Sequence, residues 1–511
     1  MKVSSEAALE LNDITNPISR AFYEDTRDGL IENIQRYLEI LPASNVDIYL
    51  NTAYNDGKKK CTPLVIASEN GHYHILQLFL ETKCRANIEG EGTIVIENRI
   101  IRGVTALWIA AANGHFSIVQ LLVEHGADVN HTTKTNSSPL RAASYYGYIK
   151  IIQYLVDHGS DVHSLNHFNS SHMNIAAYRG HINVVQYLLQ SGCNPNIKDN
   201  DLSIALHEAV AGGHLKIVKF LLLQYENASN SNITLKNKYN LTPLMVAARH
   251  RHLSIVNYLI ENNYCTDIEC IEALELLGAS HYCQNENNPD EGFEYLVKAA
   301  KLREEKSLLK ANLLSSIDVY DNHIECQTLE QLQSIQYNSH LMQMEACVIY
   351  SRLIGQTNKK LIYPLLHVGF TYADKKQYQQ CLKLWLHALK ISKLNKCISN
   401  YDHQLLKYFV NIFFEIYENS TIKLFTYNHI VKEVMKITIE ELLEIRRQLL
   451  IENGNMEEKQ AVSQYKDDNL QILLYLIIFL SKVGVYGAYR SILDCQSVEY
   501  HLTCSNFCRN L

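Results

Sequence analysis

The chain has 511 residues, 47% of them apolar and 20% charged, with only 8 prolines and a formal net charge of −7. The length allows roughly three domains, the apolar share is ample for sizeable cores, and the composition argues against extensive disorder. So modest a negative charge gives no basic stripe, which excludes nucleic acid as the expected partner.

The first residues, MKVSSEAALELNDITNP, contain no apolar h-region, so no signal peptide is expected. From Thr105 the same phrase is written four times: TALWIAAANGH, SPLRAASYYGY from Ser138, SHMNIAAYRGH from Ser171 and IALHEAVAGGH from Ile204. The starts are 33 residues apart, and a T-P-L-H-x-A-like phrase at that period is the ankyrin signature, a turn followed by two helices. The Thr or Ser position opens the first helix as a cap, the Ala pair lets helices approach closely, and Gly-His ends it with a residue free to take positive φ. TPLVIASENGH from Thr62 and TPLMVAARHRH from Thr242 extend the array, and a degenerate first unit is read over Ala21–Leu41, with Asp28-Gly29 at its turn. Insertions of about ten and about five residues fall between units, where hairpin tips project and binding faces are commonly built. The longer one, Gly90–Arg102 (GEGTIVIENRIIR), alternates β-branched with polar residues and predicts an enlarged, extended finger.

Beyond Cys265 the phrase stops and long helical patterns begin. IEALELLGASHY followed by FEYLVKAAKLREEK places Leu-Gly, then Tyr282, then Ala299-Ala300 as in a tetratricopeptide unit. A better copy runs from Tyr363 to Leu394, with Gly369, Tyr372, Ala373, Tyr378 and Ala388 at the expected places. The two copies are about 90 residues apart, so helices of another kind must fill the gap. Residues 401–485 read as further helices with a polar loop at Asn453–Asp468, and 486–511 is unassigned. The most apolar run, Ile472–Leu480, has nine residues against the roughly twenty that cross a bilayer, so a buried helix and a soluble chain without a membrane partner are expected. The organisation expected is therefore all-α: an ankyrin-repeat solenoid over 1–268, a tetratricopeptide-like helical region over 269–400, and more helices beyond.

No phosphate loop, HExxH, C-x-x-C pair or G-x-S-x-G is present, so neither an enzyme nor a cofactor is expected. Cys495, His501, Cys504 and Cys508 match no zinc spacing and are taken as ordinary thiols, with no metal expected. The 13 cysteines show no disulfide framework, which places the chain in the cytoplasm, or the nucleus as well. His72, His115, His181, His214 and His252 hold the Gly-His position and, with His207, are taken as structural. What an ankyrin array does is bind protein through a rigid groove. Trp108, Tyr145, Tyr146, Tyr148 and Tyr178 lie on or just after inner helices of consecutive units, where they are candidate contact residues, with core packing the alternative for Trp108 and a compositional bias toward tyrosine, 32 in the chain, the alternative for the rest.

The order of parts, with the phrases GVTALW, HGADVNHTTKTNSSPLRAA, IEALELLGAS and YADKKQYQQCLKLWLHAL, resembles the Fem-1 family over roughly Thr62–Leu394, and more loosely to about Lys482. Generic ankyrin proteins share the T-P-L-H phrases but not the IEALELLGAS junction. The resemblance implies a substrate receptor of a cullin-2 RING ubiquitin ligase that reads C-terminal degrons, notably tails ending in arginine, in its ankyrin groove. A guanidinium needs carboxylates in fork geometry, and a terminal carboxylate needs donors. The family's first pocket acid, in Phe-Asp-Gly, aligns with Ile96, Glu97 and Asn98, so the acid becomes Glu97. The T-N-S-x-P-L finger is kept as Thr135–Leu140, leaving Ser137 to donate to a carboxylate. The second acid, in Cys-Phe-Asp-Gly, aligns with Tyr146 in Ser144-Tyr145-Tyr146-Gly147. A phenol in place of a charged partner costs about 1.5–3 kcal/mol, so a weakened or altered preference for terminal arginine is expected. The degron-binding set implied is Glu97, Trp108, Ser137, Tyr145, Tyr146 and Tyr178. Elongin B/C and cullin-2 are the implied assembly partners, but the family's docking box is not found after Lys482. The expectation there is either a truncated form or a chain that binds substrate without that route. A non-ligase ankyrin and tetratricopeptide scaffold is the alternative function.

Overall fold

The computed structural model describes residues 17–55, 59–81, 86–96, 99–227, 235–283, 289–395 and 400–418, with seven residues of 429–437. The fold is an all-α repeat solenoid, and its contacts divide it into two compact units, Met1–Glu269 and Cys270–Leu511.

The first unit opens with α1 (Pro17–Asp28), α2 (Ile31–Ile40) and α3 (Ala43–Asn51). Six helix pairs follow: α4 (Pro63–Asn70) with α5 (Tyr73–Glu81), α6 (Ala106–Asn113) with α7 (Phe116–Glu124), α8 (Pro139–Tyr146) with α9 (Ile149–Asp157), α10 (His172–Arg179) with α11 (Ile182–Gln190), α12 (Ala205–Ala211) with α13 (Leu215–Asn227), and α14 (Pro243–Arg249) with α15 (Leu253–Glu261). Thr62, Thr105, Ser138, Ser171 and Thr242 each accept a hydrogen bond from the backbone N–H three residues on, satisfying a donor that the helix start would otherwise leave unpaired. Ile204 holds the same position in α12 and supplies no such cap. The inner helices, α4, α6, α8, α10, α12 and α14, pack closely through their alanines. The outer helices touch one another more sparsely.

Neighbouring units are stitched by two devices, each repeating from unit to unit. First, each Gly-His histidine reaches back one unit: His72 to Arg27 O at 2.9 Å, His115 to Glu69 O at 3.1 Å, His181 to Tyr145 O at 3.0 Å and His214 to Tyr178 O at 2.9 Å. The ring then lies where a Cβ on the previous unit's turn glycine would stand, as His214 does at Gly180 (φ +87°), 2.5 Å away. These glycines serve both the left-handed turn and the neighbour's ring. Second, each finger donates a backbone N–H to the finger before it: Lys134 to Arg102 O, His167 to Thr135 O, Asn200 to Phe168 O and Lys238 to Asp201 O, at 2.8–3.2 Å.

The enlarged finger is a β-hairpin, β3 (Gly92–Ile96) against β4 (Arg99–Val104), antiparallel with Ile94 opposite Ile101. It extends a sheet of order β1-β2-β3-β4, whose two-residue strands β1 (Tyr54–Asn55) and β2 (Lys60–Cys61) are too short to show a period in the sequence. Alternation sends Ile94 and Val104 into a core with Tyr23, Val65, Ile66, Trp108 and Ile109. Val95 and Ile100 are left facing water, at 41% and 56% exposed.

The second unit contains α16 (Asp267–Cys283), α17 (Pro289–Glu305), α18 (Leu329–Ile335), α19 (Ser339–Ile354), α20 (Ile362–Asp374), α21 (Tyr378–Leu394) and α22 (Asn400–Glu418). Pro289 stands at the first position of α17, where its missing N–H costs nothing, and Asp290 and Glu291 follow in the favourable first turn. Pairs α16/α17 and α20/α21 are the segments whose sequence resembles tetratricopeptide units. Gly278 lets Leu296 approach to 2.6 Å of where a Cβ would be, and Gly369 lies against the indole of Trp385 in the same way. Between them α19 is buried almost throughout, and a charge network holds it. Glu275 pairs with Arg303 at 3.0 Å and Arg352 at 2.5 Å, and Glu325 pairs with Arg352 and Lys310, both at 2.7 Å. Burial alone would raise the Glu275 carboxyl, but Lys310, Arg352 and Arg303 outweigh it and hold the group below its usual range. Helix α22 packs on α21, where Tyr378 donates to Glu415 at 2.8 Å. The segments read as a polar loop at Asn453–Asp468 and an unassigned tail lie outside the described residues.

Candidate peptide-binding face

The inner row places one aromatic group after another. Tyr145 and Tyr146 close α8, with ring centroids 4.8 Å apart edge to face, and Tyr146 stacks on Tyr148 at 6.2 Å. One unit along, α10 ends in Tyr178 and Arg179, and the Arg179 guanidinium sits over the Tyr145 ring at 4.3 Å. That stacking orients a cation along the strip while leaving its N–H groups able to donate. Tyr178 is 45% exposed, whereas Tyr145 and Tyr146 are half-buried. Tyr148 occupies the histidine position of its unit and presses on the turn of Gly114, so it wedges units as well as extending the strip.

Trp108 departs from the expectation of an exposed contact residue. It is only 5% exposed and belongs to the core between the hairpin and α6, because Ile94 and Val104 of the finger close over it. Its indole Nε1–H emerges to donate to Ser137 Oγ at 3.3 Å, which fixes the finger hydroxyl and leaves that hydroxyl's own proton to donate outward. Glu97 and Asn98, on which the aligned pocket acid falls, lie outside the described residues. Beside the strip, Lys134 pairs with Glu91 at 2.8 Å, and through this hydrogen bond holds that carboxyl below its usual range.

Sequence reasoning passed over two arginines here. Arg179 carries no motif signal, and its stacking is a property of the unit spacing. Arg141 bridges units by donating to the Ser170 and Ser171 carbonyls at 2.8 and 3.0 Å, and burial brings it down to about 10, so it stays charged at neutral pH. Two buried histidines behave oppositely. Burial pushes His172 and His207 down to about 4, and both rings sit neutral in the array.

The ankyrin-repeat family profile matches residues 92–166 and 173–271, in three copies. The Drosophila melanogaster protein fem-1 homolog CG6966 is 45% identical over 332 residues, 65% of this chain and 49% of that protein. Over this span the chain is similar to Fem-1 proteins. Its likeness to protein fem-1 homolog C of Homo sapiens is 30% over 255 residues, 48% of this chain and 40% of that protein, and that to protein fem-1 homolog A of Danio rerio is 29% over 161 residues. The chain spans about half the length, or less, of the Fem-1 relatives it matches. Ankyrin repeats of this kind support a protein-interaction role. Among the described residues no helix is long and apolar enough to cross a membrane.

Proposed function

We propose that the inner face of the ankyrin array binds the C-terminal tails of substrate proteins. We further propose that the chain is the substrate-recognition subunit of a cullin-RING ubiquitin ligase, with elongin B/C and cullin-2 as its assembly partners. The observation that carries this reading is the strip Arg179–Tyr145–Tyr146, in which Tyr146 packs against the core of Trp108, whose indole holds the Ser137 hydroxyl. Rigid aromatic rings grip a peptide at low entropic cost, while a guanidinium and a hydroxyl are the donors that a terminal carboxylate requires. Tyr146 also stands where the family's second pocket acid belongs, and a phenol offers a terminal arginine no counter-charge. Tails with a free carboxylate and a last side chain other than arginine are therefore the preferred ligands.

A binding screen of the full chain against peptide C-termini tests this. Binding is expected to vanish on amidation of the peptide, to weaken about tenfold or more in Arg179→Ala, and to move toward terminal arginine in Tyr146→Asp, since a charge-assisted contact contributes about 1.5–3 kcal/mol. Affinity for an arginine-ended peptide undiminished by Tyr146, or indifference to amidation, overturns the preference. Co-purification of elongin B/C and cullin-2 tests the ligase assignment separately, and failure to recruit them leaves an adaptor that binds tails without a ligase.

A further inference from the structure

The loop before α18 carries chemistry that the peptide face does not use. A 3-10 turn at Asp318–Tyr320 is followed by two residues in the left-handed region, Asp321 (φ 50°) and Asn322 (φ 56°), a conformation that Asp and Asn tolerate better than other non-glycine residues. The chain doubles back, with Asn322 N–H donating to Ile317 O at 3.1 Å and His323 N–H to Tyr320 O at 2.9 Å. That reversal lays His323 and Cys326 against Glu345 on α19. His323 Nε2 lies 2.7 Å from Glu345 Oε2, and the Cys326 N–H reaches both carboxylate oxygens at 3.1 Å, so the backbone of the cysteine aims the carboxylate toward its own thiol. An imidazole nitrogen, a thiol sulfur and a carboxylate oxygen thus lie within 4.8 Å of one another, with Glu345 1% and Cys326 9% exposed.

We propose that His323, Cys326 and Glu345 bind a zinc-class divalent cation, with a water as fourth ligand, and that the ion clamps this loop to α19. Mixed nitrogen, sulfur and oxygen donors suit Zn²⁺, whereas Mg²⁺ and Ca²⁺ take oxygen alone. Donors around a tetrahedral zinc stand roughly 3.5 Å apart, so the His323–Glu345 pair opens and the thiol closes by small movements. A cavity of about 20 Å³ borders Cys326 and Glu345, and it has room for one water. On binding, the cation displaces the thiol proton, and the resulting thiolate with the Glu345 carboxylate matches its double charge. The nearby cations are already engaged: Lys310 donates to Glu325 at 2.7 Å and to the Cys326 carbonyl at 2.6 Å, while Arg303 and Arg352 pair with Glu275.

The test is titration of the chelator-treated full chain with Co²⁺, followed by Zn²⁺. One equivalent of cobalt is expected to give a thiolate-to-cobalt charge-transfer band that zinc abolishes. Cys326→Ser is expected to remove that band, and Glu345→Gln, which keeps the side-chain shape, to weaken cobalt binding at least tenfold. Should Cys326→Ser fail to fold by circular dichroism, His323→Gln supplies the same readout. Cys504→Ser/Cys508→Ser separates this site from the cysteine-rich tail and is expected to leave the band intact. No thiolate band in the full chain, or a band that survives in Cys326→Ser and is lost in the tail variant, overturns the proposal.

Discussion

The two units hold themselves together in opposite ways. In the first, nearly every stitch joins a residue to its counterpart one repeat away: histidine to the preceding carbonyl, finger N–H to the preceding finger, ring onto the preceding glycine. In the second, Glu275 and Arg352 meet across 77 positions, and Glu325, Lys310 and Arg303 join them from three further segments. A solenoid of the first kind spreads its stability over many small, interchangeable terms. The second kind concentrates it in a few buried charges, each of which is costly when left alone.

The largest expected effect lies in the second unit. Arg352→Ala removes a partner shared by Glu275 and Glu325, leaving the first to Arg303 and the second to Lys310, and should destabilise that unit by about 3 kcal/mol. Hydrogen exchange of the full chain should show the loss in peptides from 270–395, with those from the ankyrin array unchanged, and a uniform loss would dissolve the contrast drawn here. Next come the turn glycines. Gly180→Ala meets both positive φ and the His214 ring, while Gly126→Ala meets positive φ with open space around it. We expect about 2–4 kcal/mol for the first and about 1–2 kcal/mol for the second, and equal costs in chemical denaturation would remove the ring from the account.

Acid should separate the units further. His172 and His207 are depressed to about 4 in the folded array, against 6.5 for the ordinary group. The unfolded chain therefore binds more protons between those values, and stability that is complete above pH 6.5 is lost as pH falls toward 4. At pH 5 the array should be weaker by roughly 2 kcal/mol for each histidine. The Glu275 network should hold in that range, because a carboxylate kept below its usual range loses its contribution only at lower pH. Thermal melts at pH 7 and 5, read by exchange in each unit, check the sign. The smallest effect is expected at the helix caps. Ser138→Ala should cost about 1 kcal/mol, within a unit that remains folded, as the uncapped Ile204 unit already does.

The array was legible because its physics is local. A 33-residue phrase with its cap, alanine pair and turn glycine specifies each helix pair and the neighbour it stacks on, and the alternation in GTIVIENRII marks the hairpin before any coordinates are known. Which side chains reach the surface was not legible. Trp108 sits on an inner helix in the sequence, yet the finger closes over it, and Arg179 finds Tyr145 only because two units stack at a set spacing. The charge network left no signal, since its members are scattered along the chain, and the His323–Cys326 pair matches no metal motif until the fold brings Glu345 to it. The sequence by itself determined the repeat, its period and the elements it builds, because those depend on contacts within one or two units. Burial, pairing of distant charges and the make-up of the inner aromatic face were decided by tertiary structure alone, because they depend on which segments the finished packing brings together.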